Sequence, residues 1–450
     1  MTGQQRLVIV IAIVASFIAF LDGSVVGVAL PAISSELGGG LITQQWVNDA
    51  YLITLGTLIL AAGSLSDIFG RKKILTIGLY GFLVASILCS IAPTSEFLII
   101  ARGVQGIAGA LLVPSSLALI ISTFKGAPQA KAIGQWTAWT GIAFIAGPLI
   151  GGLLVDLVSW RLVFAINVLP IVFGLILLGF LNPEEKPEAR KKVDVAGIIL
   201  GAIGLGGIVY ALIEQANYGW TSPVVFGTFI GGVVSLVVFW WHERRTAQPM
   251  LPFDVFSVRN FSVGNIATFT IYAALSLQGF LLVIFLQQLA GFSATLAALA
   301  SIPVTVIMFL LSSRFGALSG KYGPRLFMSL GPIVAGLGTL WMATVTIPTD
   351  YWTQILPGII LFGLGLSMTV APLTSAILGS IDAKQAGIGS AINNAVSRIA
   401  GLIAIAMIGI FIGTQLDLAG FQQGIIICAG LLIAGGIISA IGIQNKPHQS

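Results

Sequence analysis

From Leu7 to Pro31 the chain runs for 25 residues with one charged side chain, Asp22. Thirteen more apolar runs follow, near 44–65, 74–92, 97–122, 133–155, 162–181, 194–213, 222–241, 261–287, 295–313, 326–345, 354–377, 388–413 and 421–443. A membrane-crossing helix needs about 20 mostly apolar residues, so this spacing predicts fourteen crossings. Only helices and closed barrels satisfy every backbone polar group in lipid, and runs of this length select helices. Charged residues make up 8% of the chain, against about 25% in a soluble domain, which excludes a water-soluble fold. The 55 glycines suit close helix–helix approach in lipid.

Lysine and arginine set the orientation. With the N-terminus in the cytoplasm, 18 of the 21 basic residues fall on the cytoplasmic side and only Arg161 on the outer side. Arg102 and Arg398 fall inside spans. This asymmetry places both termini inside and requires an even number of crossings. Residues 7–31 are long enough to span and lack a small-residue cleavage site, so they are expected to stay in the mature chain. The net charge of +5 is dispersed among short loops, which reads as topology rather than nucleic-acid binding. Cys89 and Cys428 lie far apart inside apolar runs and read as buried small hydrophobes, not a disulfide or metal pair. No phosphate-cradling Gly–Lys–Ser run occurs, and His242 and His448 read as solvated surface residues. An enzyme, a metal site and a cofactor are therefore not expected.

The chain repeats itself. GSLSDIFGRKKI at 63–74 is echoed by GALSGKYGPRLF at 316–327, so that Gly63, Leu65, Ser66 and Gly70 recur as Gly316, Leu318, Ser319 and Gly323. A weaker echo pairs Gly134 with Gly389. The expected fold is an all-α membrane protein: a six-helix bundle over 1–181, a charged linker with two extra helices over 182–260, and a second six-helix bundle over 261–450. Duplicated halves around a central site form a transporter architecture.

Four stretches resemble the major facilitator superfamily, in particular its fourteen-helix drug:proton antiporter branch. They are LDGSVVGVALP at 21–31, GSLSDIFGRKK at 63–73, IIARGVQGIAGALLVP at 99–114 and GIAFIAGPLIGG at 141–152. Ile68, where the loop signature usually has a basic residue, and Ala108, in place of a usual Gly, depart from the pattern. The resemblance implies a proton-coupled efflux transporter in the bacterial cytoplasmic membrane, with protons and a small molecule as partners, in the lipid bilayer and as a monomer.

An ionised group at the centre of a membrane helix costs roughly 2.5–3.5 kcal/mol or more, so Asp22 needs a reason to be there. Asp22, Asp49 and Arg102 are expected to share one layer in the outer half of the first bundle and to couple protons. A structural ion pair, or snorkelling toward the interface, is the competing reading. The resemblance favours a role for Asp49, because a carboxylate between Trp46 and Tyr51 is seen in exporters of cationic compounds. Loop 63–73 reads as a gate, with Gly63 expected to let helices 2 and 3 pack closely, Asp67 at the end of helix 2, and Gly70, Arg71 and Lys72 at the turn. Gly141, Gly147, Pro148, Gly151 and Gly152 read as a helix-packing notch, which the resemblance implies seals one face in antiporters.

Substrate-contacting candidates are Gln105, Trp136 and Trp139 in the first half. In the second half they are Asn265, Tyr272, Gln278, Asn393 and Asn394. Trp136 and Trp139 share a helical face and can stack on a flat or cationic ligand, although core packing competes. Arg398 has no acidic neighbour in sequence and is expected near the cytoplasmic gate. The leading function is export of amphipathic, cationic or aromatic drugs; a dedicated exporter of one antibiotic, metabolite or lipid, and a channel or scaffold, are the alternatives.

Overall fold

A computed structural model describes residues 2–182, 194–246, 249–382 and 385–445. Inside its helices it describes all side chains but those of Leu60, Ser64, Asp67, Ala127, Ala130, Phe144, Ile145 and Ala386. The linker 183–193 with Lys186, Arg190, Lys191 and Lys192 therefore lies outside the described residues, as do Lys384, Lys446 and His448.

All regular structure among the described residues is helical. The helices are α1 (Gly3–Leu37), α2 (Gly40–Phe69), α3 (Arg71–Ser90), α4 (Ser95–Thr123), α5 (Ala127–Leu157), α6 (Leu162–Ala165), α7 (Val168–Gly179), α8 (Val195–Tyr218) and α9 (Pro223–Glu243). They continue with α10 (Arg259–Ile284), α11 (Ala294–Ala300), α12 (Ile302–Tyr322), α13 (Pro324–Met342), α14 (Leu356–Leu378), α15 (Ala386–Ile412) and α16 (Leu418–Gly442). Thirteen described stretches are long and apolar enough to cross a membrane, and α2, of 30 residues, covers the remaining expected crossing.

Two expected spans are interrupted. The run at 162–181 is α6 and α7 with a break at Ile166 and Asn167, and the run at 295–313 is α11 and α12 with a break at Ser301. Helix α1 outlasts its apolar stretch. Thr2 and Gln5 form a reciprocal cap at its start, and nothing stops it until Gly38, where φ turns to 82°. The duplicated loop forms twin elbows. Gly70 joins α2 to α3 at φ 92°, ψ 135°, and Gly323 joins α12 to α13 at φ 87°, ψ 153°, backbone that only glycine adopts freely.

Contacts divide the chain into two units. The first comprises Met1–Glu214, Tyr218–Met250 and Ser293–Ala298. In it α4 packs on α1, α2 and α3, and α1 packs on α5. Its core contains Leu75, Leu79, Phe82, Leu112 and Ile120. Helices α8 and α9 meet backbone to backbone at Gly204, Gly207 and Gly232. The second unit comprises Gln215–Asn217, Leu251–Phe292 and Leu299–Ser450. There α13 packs on α14 and α16, and α10 on α15 and α16.

Candidate functional site

Helix α1 carries Asp22 to the middle of the first unit. Because α1 runs on to Leu37, Asp22 lies 15 residues from its end, roughly 22 Å at 1.5 Å per residue, and not the nine that separate it from Pro31 at the end of the apolar run. Helix α4 brings Arg102 and Gln105 to it, one turn apart and so on one face. Asp22 is 0% exposed and Arg102 1%. The Arg102 Nη1 donates to Asp22 Oδ2 at 2.7 Å and to Gln105 Oε1 at 2.6 Å, while its Nε donates to the Val47 carbonyl of α2 at 3.0 Å. The guanidinium also lies over the Tyr51 ring, 4.3 Å from its centroid.

The other carboxylate oxygen, Asp22 Oδ1, accepts from Gln105 Nε2 at 2.9 Å and from Asn167 Nδ2 at 2.8 Å. Gln105 also donates to Ser86 Oγ at 3.0 Å and accepts from the Cys89 thiol at 3.7 Å. Three donors converge on one carboxylate, an arrangement that suits its ionised form. Opening the buried pair by deleting one partner would leave an uncompensated charge, at roughly 3–5 kcal/mol.

Asp49 does not join this centre. It is 0% exposed on α2, and its Oδ1 accepts from Asn48 Nδ2 at 2.9 Å. Its Oδ2 has no partner among the described residues. The expected layer of three ionisable groups is thus a bonded pair with a separate carboxyl.

At the first elbow Lys72 Nζ donates to the Leu181 carbonyl at 2.5 Å, and Arg71 opens α3. Among the described residues a β-carbon at Gly63 would meet nothing within 4 Å, so none of them makes the close helix approach expected there. The Asp67 side chain lies outside the described residues. At the second elbow a cavity of about 1000 Å³ is lined by Asn260, Gly316, Ser319, Gly323 and Asn445 among others.

The notch on α5 is made by three of its four glycines. Gly147 lies against Ser24 and Gly151 against Val25 of α1, and Gly152 against the backbone of Thr295. Gly141 has open space beside it. Pro148 sits inside the helix, where it removes one backbone hydrogen bond. One turn past Gly152, the Asp156 carboxylate accepts from the Ala294 and Thr295 amides at 3.0 and 2.8 Å.

The candidate substrate residues scatter. Gln105 belongs to the Asp22 centre. Trp136 donates its Nε1 to Ser16 Oγ at 2.9 Å and packs on the core, whereas Trp139 is 54% exposed, so the two indoles part. In the second unit, Asn393 of α15 donates to Asn265 Oδ1 and Thr268 Oγ1 of α10 at 3.2 and 2.8 Å. Gln278 accepts from Thr339 at 2.7 Å, Tyr272 is half-buried and Asn394 is exposed. Cys89 and Cys428 are free and buried.

Sequence reasoning missed Asn167, Ser86, Asp156 and the pair Trp46–Glu214. Trp46 Nε1 donates to Glu214 Oε1 at 2.7 Å and ties α8 to α2. His242 is also not a free surface group, because its Nε2 meets Asp194 Oδ1 at 2.8 Å. Asn167 was readable only as a polar residue in an apolar run; the break at the α6–α7 junction is what turns it toward Asp22.

Comparison with known proteins follows the same lines. The family model described as Major Facilitator Superfamily matches residues 12–199 and 194–405. The chain is 32% identical over 414 residues to the Multidrug resistance protein Stp of Mycobacterium tuberculosis (strain CDC 1551 / Oshkosh), covering 91% of this chain and 76% of that protein. It is 31% identical over 415 residues to the Methylenomycin A resistance protein of Bacillus subtilis (strain 168), covering 91% and 88%. It is 30% identical over 406 residues to the Tetracenomycin C resistance and export protein of Streptomyces glaucescens, covering 88% and 73%. Among solved structures, a POT family transporter in complex with 5-aminolevulinic acid superposes with a TM-score of 0.72 at 13% identity, over 96% of this chain and 94% of that one. That likeness concerns the fold alone.

Proposed function

The chain belongs to the Major Facilitator Superfamily, and from that premise we propose that it is a proton-driven antiporter exporting amphipathic, cationic or aromatic drugs. Its relatives among multidrug and antibiotic resistance transporters support drug export. The observation that carries proton coupling is the Asp22–Arg102 bond of 2.7 Å at full burial. Ionised Asp22 holds Arg102; protonated Asp22 releases it. A change of charge at one atom pair thereby becomes a change in how α1 and α4 are tied. Intramembrane carboxylates of this kind are costly unless used, and proton relays are a common use.

Asp49 fits the second half of the exchange. A fully buried carboxyl with one free oxygen can hold a proton or face a cationic drug, and the two occupants exclude each other. The twin elbows at Gly70 and Gly323 act as gate hinges in this reading, together with Asp67, Arg71 and Lys72, and the α5 notch acts as a seal. The organisation into bundles 1–181 and 261–450 around an inserted segment 182–260 belongs to the same proposal. So do a bacterial cytoplasmic membrane, two cytoplasmic termini and a monomeric state. The membrane potential contributes about 2.3 kcal/mol per charge per 100 mV toward uphill export.

The test is uptake of a fluorescent cationic dye into inverted membrane vesicles. Energised vesicles should accumulate dye, and an uncoupler should abolish the accumulation. Downhill leak that ignores the uncoupler would turn the reading to a channel; no dye movement across a broad panel, with movement of one natural product, would turn it to a dedicated exporter.

A further inference from the structure

Helix α15 carries Arg398 as the 13th of its 27 residues, at mid-helix. The side chain is half-buried. Among the described residues it makes no hydrogen bond and no ion pair. From residue 251 onward the sequence contains four carboxylate side chains, Asp254, Asp350, Asp382 and Asp417. All four lie outside the membrane-crossing stretches: Asp350 and Asp417 precede theirs, Asp254 sits in a short turn of 3-10 helix, and Asp382 follows the end of α14. The second unit therefore offers this cation no internal counter-charge at its own depth.

Ser390, Asn394, Ser397, Arg398 and Gly401 fall within about 100° of arc at 3.6 residues per turn, one polar stripe on an otherwise apolar helix. Helix α10 presents a matching stripe. Asn265 and Thr268 bond Asn393, and Ser276 touches Gly401. Tyr272, between them, is near enough to feel the charge of Arg398. Asn394, one turn from Arg398, is exposed, so the stripe is reachable. An unmatched charge at this depth is costly, and it persists where a ligand or water pathway meets it. Guanidinium, with five donors in a planar fork, matches a carboxylate, sulfonate or phosphate in preference to any neutral group.

We infer that Arg398 is a substrate-binding residue that receives an acidic group, so that the favoured cargo is an amphipathic compound bearing a carboxylate or a comparable anion. This rests on the exporter reading above and narrows its substrate class.

The test uses a matched pair of dyes, rhodamine B, which carries a free carboxylate, and its ethyl ester, which does not. Binding to the purified full chain is followed by fluorescence anisotropy. The wild-type protein should bind rhodamine B more tightly than the ester. Arg398→Gln should weaken rhodamine B by about tenfold or more and leave the ester unchanged, and Arg398→Lys should recover part of the loss. The inference is overturned if the wild type binds no rhodamine B or favours the ester. It is also overturned if Arg398→Gln leaves both dyes unchanged or weakens both equally, the last being the mark of a structural role. Uncoupler sensitivity in vesicles is read separately: a dye that binds as expected but is never accumulated counts against the exporter and not against Arg398.

Discussion

Asn167, at the break between α6 and α7, donates its side-chain amide to Asp22 at 2.8 Å across 145 positions of sequence. Its own Oδ1 is buried with no partner among the described residues. The break therefore spends a buried carbonyl oxygen to give an ionised carboxylate a third donor. Asn167→Ala removes that donor, worth roughly 1.5–3 kcal/mol to a charged acceptor. The Asp22–Arg102 pair then loses one of the bonds that holds it in place, so dye efflux should fall, measured in vesicles against the wild type. Unchanged efflux would assign Asn167 to packing alone.

Asp22→Asn should abolish uncoupler-sensitive efflux; the amide keeps the carboxylate's shape but sets an NH2 against one of the three donors and leaves Arg102 unpaired, so folding is checked beside it by size-exclusion and thermal unfolding. Full retained efflux would remove Asp22 from the coupling step.

Arg102→Gln strands the Asp22 charge in a dry site and should destabilise the chain by roughly 3–5 kcal/mol. Adding Asp22→Asn to that variant removes the stranded charge, so the double variant should melt at a higher temperature than Arg102→Gln alone. Thermal unfolding of the detergent-purified set reads this directly, and simple additivity would deny the pair its coupling.

Trp46→Phe keeps the ring and deletes the indole donor to Glu214. It should lower thermal stability by about 0.5–1.5 kcal/mol, the net worth of one hydrogen bond. Glu214→Gln in the same background should recover part of the loss. No change in either variant would mean that glycine packing alone holds α8 in place.

Asp194 precedes α8. Burial works to raise its carboxyl, but hydrogen bonds from the Gly197 amide, His242 and Glu243 outweigh burial and hold it below its ordinary value of 3.8. A depressed carboxyl contributes stability that is complete above its unfolded value and is lost as pH falls through the folded one. Melting curves taken from neutral pH downward should therefore show an acid-side loss that Asp194→Asn reduces.

Much of this was readable in the residues. Long apolar runs with cationic flanks specify membrane helices because lipid leaves the backbone no other way to satisfy its polar groups. Asp22 and Arg102 advertised themselves by their cost, and the repeat around Gly70 and Gly323 foretold two elbows of matching geometry. What stayed hidden depends on rotation and distance. Spacing could not say which glycines meet a neighbour: among the described residues Gly147, Gly151 and Gly152 make contacts while Gly63 and Gly141 do not. Helix length was set at Gly38 and not where hydropathy fades near Pro31, which put Asp22 farther from the end of α1 than the apolar run alone placed it. The bonds Asn167–Asp22 and Trp46–Glu214 join distant helices, and no local pattern encodes such a pairing.

The two elbows have a practical consequence for anyone editing the gene. A codon change from glycine to alanine at 70 or at 323 imposes the same kind of positive-φ backbone penalty, about 1–3 kcal/mol, while at 323 the new methyl group also strikes the side chain of Asn445. The positions thus supply a matched pair of lesions, one on each side of the duplication, and trimming Asn445 to alanine levels them. With that set of genes, the share of the transport cycle borne by each repeat can be weighed within one molecule.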